Sequence, residues 1–134
     1  MHEIITDRQD ELRHWMAEKN AHRYIEDYGT YIGLARDNHI IACTGYDAYL
    51  GYSIQGHIGI DGRITKEWLW FIFYYPFIQL GVNKIISPIF SSNIKALRLC
   101  SHMGFIEEAR IKQSAPCGGD IILMTIVKDN CRFI

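Results

Sequence analysis

Two periods alternate along this chain, and the switches between them mark its elements. Asp7 or Asp10 can cap a first helix running to about Lys19, in which Leu12, Trp15 and Met16 recur at i, i+3 and i+4 as an apolar stripe. In YIGLARDNHIIACTGY, two apolar runs flank Asp37-Asn38, the pattern of a β-hairpin with a short turn. Tyr52 to Ile60 alternates as a third strand, and its glycines at 56 and 59 suggest a bulge or a close backbone approach. The run WLWFIFYYPFI has strand-like aromatics and helix-like length; the polar residues before it and Leu80-Gly81 after it favour a helix. Lys84 to Phe90 follows as a strand, with Pro88 pointing to an edge or a disrupted ladder. Ser91-Ser92-Asn93 then caps a helix with Ile94, Leu97 and Cys100 along one face, stopped by Gly104, with Phe105 packing back on it. FIEEARIK and DIILMTIV close the chain as two strands around Pro116-Cys117-Gly118-Gly119. The order α, β-hairpin, β, α, β, α, β, β describes a mixed α/β sheet.

The chain has 134 residues, one domain's worth. With 49% hydrophobic and 22% charged residues it has the composition of a globular domain, not of a disordered or disulfide-stapled one. The formal net charge of −1 supplies no field for gripping a polyanion without specificity. Charge is uneven, however: residues 1–67 carry 7 basic and 11 acidic side chains, and residues 68–134 carry 7 and 4, so an anion is expected to favour the second half. Cys43, Cys100, Cys117 and Cys131 form no C-x-x-C pair and read as reduced thiols; no metal site is expected. The N-terminus lacks an apolar signal-peptide core, and the longest apolar run, Trp68 to Ile78, is 11 residues against the roughly 18 of a spanning helix. These features point to a cytoplasmic protein without a membrane partner. The aromatic run Trp68 to Phe77 and the apolar last strand suggest a homodimer.

From Tyr52 onward, the order strand, loop, helix, strand, Asn-led helix, Gly-Phe and two strands resembles the GNAT acyltransferases. Asn93, Ala96, Leu99, Gly104 and Phe105, set as NIKALRLCSHMGF, carry the likeness, together with YPFIQLG and the closing GDIILMTIVKDNCRFI, which looks like that of small acyltransferases encoded by tailed phages. The resemblance covers roughly 80 residues. It implies a mostly antiparallel twisted sheet with flanking helices and splayed central strands, Ser53–Ile60 and Lys84–Phe90. It also implies acetyl-CoA as cosubstrate. Its pantetheine arm would lie along the backbone of Ile58, Gly59 and Ile60, and its pyrophosphate on the amides opening the next helix. Asn93 is either an N-cap or a ligand for that arm.

The chain departs from the family at two places. The phosphate loop of the family is Q/R-x-x-G-x-G/A; with Leu69 as anchor, those positions hold Asp61, Ile64 and Lys66. Gly62, Arg63, Ile64, Thr65 and Lys66 are the residues left to do this work, by flexibility, side-chain donors and charge. Where many members carry a proton-donating Tyr, seven residues after the Asn, this chain has Cys100, either an acid or a small core residue. His57 is the one ionisable residue in the cofactor strand, a candidate general base or a structural histidine. Tyr46, Asp47 and Tyr49, read as a loop, would border the acceptor. The implied activity is acetyl transfer to a primary amine by direct attack, the acceptor being a small molecule, a protein or a modified nucleobase. Two alternatives stand beside it: a degenerate acyl-CoA-binding or protein-interaction module, and a phage-type DNA-base-modifying acyltransferase.

Overall fold

The computed structural model describes residues 1–20 and 29–134. Seven strands form a single sheet: β1 (His2–Ile5), β2 (Thr30–Arg36), β3 (His39–Asp47), β4 (Ser53–Ile60), β5 (Lys84–Phe90), β6 (Ile106–Ile111) and β7 (Ile121–Val127). Their spatial order is β1-β2-β3-β4-β5-β7-β6. Every neighbouring pair is antiparallel except β4 and β5, which run parallel. Among the described residues three α-helices flank the sheet: α1 (Gln9–Asn20), α2 (Lys66–Tyr74), prolonged by a π-helical turn over Tyr75–Gln79, and α3 (Ile94–His102).

The hairpin turns where the sequence places it. Asp37 and Asn38 both have positive φ, 50° and 73°, which suits the twist of a two-residue connection. Strand β1 escapes the sequence reading because HEII has no alternation; it exists through pairing with β2, Ile5 opposite Gly33 and His2 opposite Arg36. The bulge expected from Gly56 and Gly59 is absent: the β3–β4 register runs unbroken from Ala42↔Ile60 to Asp47↔Gln55. Close approach is the reason for Gly56: a Cβ there would stand 3.1 Å from Ile85 Cγ2. Pro88 sits in a central strand, at a point where β5 has lost its β4 neighbour and the missing N–H breaks no bond on that side.

Side chains on successive residues leave a strand on opposite faces, so the β3–β4 register sorts the site. One face carries Cys43, Gly45, Asp47, Gln55 and His57, and α1 covers part of it with Leu12 and Met16 packed on Ile5, Tyr31, Ala35 and Cys43. The other face carries Thr44, Tyr46, Ile54, Gly56 and Ile58 and meets the main core from α2, α3 and β7. The aromatic run is absorbed within the chain. Trp68, Phe73 and Phe77 are buried, Trp68 Nε1 donates to the Ile32 carbonyl at 3.3 Å, and Phe73 stacks on Phe133 at 5.1 Å. Trp70 and Ile78 are the residues of that stretch left substantially exposed, and β7 lies inside the sheet. The helical reading of WLWFIFYYPFI holds, with Pro76 placed where the helix widens. Ile94, expected on the apolar stripe of α3, is instead 51% exposed; Cys100 is the residue that helix buries. Gly104 (φ 104°) ends α3, and Phe105 folds back with its N–H donating to the Cys100 carbonyl. No helix among the described residues is long and apolar enough to cross a membrane.

Candidate active site

Strands β4 and β5 pair at three positions, Ser53↔Lys84, Ile54↔Ile85 and Gln55↔Ile86, and then part. Beyond this vertex no strand among the described residues pairs with β4 on the β5 side. A strand pair that parts in this way is where a sheet captures an extended ligand. The gap is walled by His57 and Ile58 on one side and by Ser87 to Phe90 on the other, with Asn93 and Ala96 at the start of α3 above it.

The gap widens to a mouth of about 260 Å³ lined by Ile58, Gly59, Ile60, Asp61, Asn93, Lys95 and Lys19. Asn93 caps α3, its Oδ1 accepting from the Ala96 N–H at 3.2 Å, and still forms part of the wall. Thr65 caps α2 in the same way, its Oγ1 accepting from the Trp68 N–H at 3.1 Å. Between β4 and α2, Gly62 and Arg63 are exposed, Ile64 packs against the main core, and Lys66 is exposed at the first turn of α2. Asp61, a charge unsuited to a phosphate site, is held by Lys19 at 2.5 Å. Lys19 and Lys95 are residues the sequence reading missed, because α1 and α3 reach this mouth only through the fold. The halves of the chain also mislead here: Lys19, Arg63 and Lys66 come from the more acidic half, and Lys95 alone from the other.

At the vertex, His57 Nε2 lies 3.1 Å from Asp47 Oδ1, and the two side chains are 12% and 22% exposed. Asp47 and Tyr46 are the last two residues of β3, not loop residues as the sequence reading had them; Tyr49 does stand in the loop. Tyr46 is buried, its hydroxyl donates to the Ile72 carbonyl, and its ring meets that of Tyr75 at 5.3 Å. Burial pushes the Tyr46 phenol well above its ordinary range. A cavity of about 650 Å³ opens here, lined by Thr30, Tyr46, Asp47, Tyr49, Ile54, Gln55, Tyr75 and Leu80. Among the described residues, Asp47 is the one charged side chain on this lining. Cys100 lies on the opposite, core side of the vertex, where burial pushes its thiol up to about 11 against an opposing hydrogen bond with Ser87.

A parallel strand pair that opens at mid-length, inside an otherwise antiparallel sheet with helices on both faces, is the fold of the GNAT N-acyltransferases. Solved structures agree. A spermidine N-acetyltransferase variant from Vibrio cholerae is similar with a TM-score of 0.73 and 16% identity, over 96% of this chain and 94% of that one. An N-acetyltransferase from Staphylococcus aureus gives 0.74 and 11% identity, over 95% and 98%. A Salmonella typhimurium protein described as an acetyltransferase and solved with its cofactor acetyl-CoA gives 0.70 and 12% identity, over 94% and 93%. No family model and no curated protein matches the chain. At these identities the likeness is one of fold, and the chemistry must be argued from the site.

Proposed function

We propose that this protein is an N-acyltransferase that moves an acetyl group from acetyl-CoA to a primary amine by direct attack. The observation that carries the reading is the opening of β4 from β5 with the His57–Asp47 pair at its vertex. A similar fold solved with acetyl-CoA supports the donor. The pantetheine arm would add to β4 along Ile58, Gly59 and Ile60, and its pyrophosphate would meet the α2 N-terminus with Gly62, Arg63, Ile64, Thr65 and Lys66. Lys19, Lys95 and Asn93 close the other side. Charge and side-chain donors replace the glycine-rich loop of the family here, which makes binding more salt-sensitive than backbone contacts alone.

His57 serves as the general base. Asp47 at Nε2 orients the ring, and its carboxylate offsets the charge the imidazole gains when it takes the proton of the amine. The amine nitrogen attacks the thioester carbon, the C–S bond breaks, and the electron pair leaves on the CoA sulfur. Cys100 is a poor source of the proton for that sulfur. A thiol at about 11 holds its proton more tightly than an ordinary thiol near 8.5. Cys100 is therefore read as a wall residue, and the leaving thiolate takes its proton from the imidazolium or water.

The acceptor enters through the cavity of about 650 Å³, a volume suited to a small ligand. The carboxylate of Asp47 and the rings of Tyr46, Tyr49 and Tyr75, the charged and aromatic groups of this cavity among the described residues, favour a small alkylamine that arrives as a cation. A fold relative whose name specifies spermidine fits that class. Tyr46 contributes its ring, since its hydroxyl is committed to Ile72. The test is release of free CoA thiol from acetyl-CoA with a panel of alkyl diamines, aromatic amines and peptide N-termini. Turnover confined to cationic alkylamines supports the reading; binding of CoA without turnover on any amine would support the non-catalytic alternative.

A further inference from the structure

Strand β6 ends the sheet: β7 lies on one side of it, and no strand among the described residues lies on the other. All 6 of its residues are exposed, Ile106 at 65% and Ile111 at 48%. A free edge of this kind is a template for another strand, and proteins commonly blunt it with charge or a bulge. This edge has both, and their arrangement is specific. The β6–β7 register slips between Glu107 and Ala109. Residues directly opposite share a face, so Ile106, paired with Thr125, and Ile111, paired with Ile121, lie on the His57 face of the sheet. Glu107 and Arg110, paired with Met124 and Ile122, lie on the face that carries the main core. At an i,i+3 spacing in a regular strand those two side chains would stand on opposite faces. The bulge puts them on one, where Arg110 Nη2 lies 3.2 Å from Glu107 Oε1.

We propose that β6 is the surface on which a second copy of this chain docks, strand against antiparallel strand about a two-fold axis. The edge sequence IEEARI is its own complement in that arrangement. Ile106 stands opposite Ile111 of the second copy, Glu107 opposite its Arg110, and Glu108 opposite its Ala109. Each of these pairs shares a face: Glu108 bonds Lys84 at 2.7 Å and Thr125 at 2.8 Å, which puts it on the His57 face with Ala109, the partner of Leu123. Charges of the two copies then alternate in sign across the axis, and each isoleucine gains an apolar neighbour. A slip of one residue either way sets side chains of opposite faces against each other, and in one direction it brings the two Glu108 carboxylates together. A strand without this order of charge leaves Glu107 or Arg110 unmatched, so the edge selects its own copy. Strands β7 and β5 stand between this edge and the opening beside β4, and the inference does not depend on the acyl-CoA reading.

Sedimentation equilibrium of the full chain tests this. The wild-type protein is expected to be a dimer at micromolar concentration. Glu107→Arg and Arg110→Glu each set like charges opposite one another and should weaken self-association ~10-fold or more. Mixed in equal amounts, the two variants should dimerise again, because each edge then carries the charge that the other lacks. The Arg110 and Glu107 side chains are 38% and 49% exposed, so both variants should keep the fold, which thermal melts check. Ile106→Lys, at a position 65% exposed, serves if either charge variant fails to fold, and should weaken association as they do. A wild-type monomer up to the limit of solubility, self-association unchanged in the variants, or no recovery in the mixture overturns the proposal.

Discussion

His57 on β4 and Asp47 on β3 are diagonal neighbours on one face of the sheet: Gly45 stands directly opposite His57, Gln55 opposite Asp47, and the imidazole reaches the carboxylate at 3.1 Å. Gly45 makes room on this face for the Tyr31 ring, which a Cβ there would meet at 2.7 Å. The pair sits half-buried at the only parallel strand junction among the described residues, where the two central strands begin to separate. A histidine there is therefore oriented before any ligand binds, which is what a positioned base requires.

His57→Gln should lower turnover by ~100-fold or more while leaving acetyl-CoA affinity nearly unchanged. Asp47→Asn should lower turnover too, by less than His57→Gln, since it orients the ring rather than taking the proton. The measurement is kcat with acetyl-CoA affinity determined in parallel. Full turnover in His57→Gln would return this histidine to a structural role and leave deprotonation to water.

Acetyl-CoA should stabilise the fold, because it supplies the strand that β4 and β5 lack between them. At a hundredfold excess over the dissociation constant, mass action contributes ~3 kcal/mol, which a thermal melt reads directly. The shift should shrink with added salt if Lys19, Arg63, Lys66 and Lys95 hold the phosphates. Lys95→Ala should weaken binding without affecting the melting temperature of the free protein, since Lys95 is exposed.

Thr44→Val keeps the shape of the side chain and removes the buried hydroxyl that has no partner among the described residues. It should raise the stability of the free protein by ~1 kcal/mol, measured by urea unfolding, because an unsatisfied buried polar group is lost. A loss of stability would show that the hydroxyl is satisfied in solution.

Thiol labelling should separate the cysteines by burial. Cys117 is exposed, whereas Cys43, Cys100 and Cys131 are buried. Burial raises the Cys100 thiol to about 11, so at pH 8 it is about one part in a thousand thiolate, and iodoacetamide should reach Cys117 first. The linkage has a definite sign. A folded-state thiol raised above its unfolded value of about 8.5 costs nothing below that pH, and stability falls as pH climbs from there through about 11. Peptide mapping after brief labelling checks the first point, and melts between pH 8 and 11 check the second.

What the sequence determined by itself was local. The hairpin at Asp37-Asn38, the caps at Thr65 and Asn93, the stop at Gly104 and the helical run through Trp68 all follow from turn chemistry, capping and period, which act within a few residues. The alternation of β4 also put His57 on the face opposite Ile54 and Ile58, as the sheet does. The rest needed strand register and packing, which join positions far apart in the chain. No local signal tells Asp47 that it lies beside His57, or Lys19 that it reaches Asp61. Nor does any local rule give β1 its place, since HEII is a strand only because β2 offers it an edge. Gly56 shows the difference most plainly: the sequence marked it as a place where something comes close, and the fold decided that the something is Ile85.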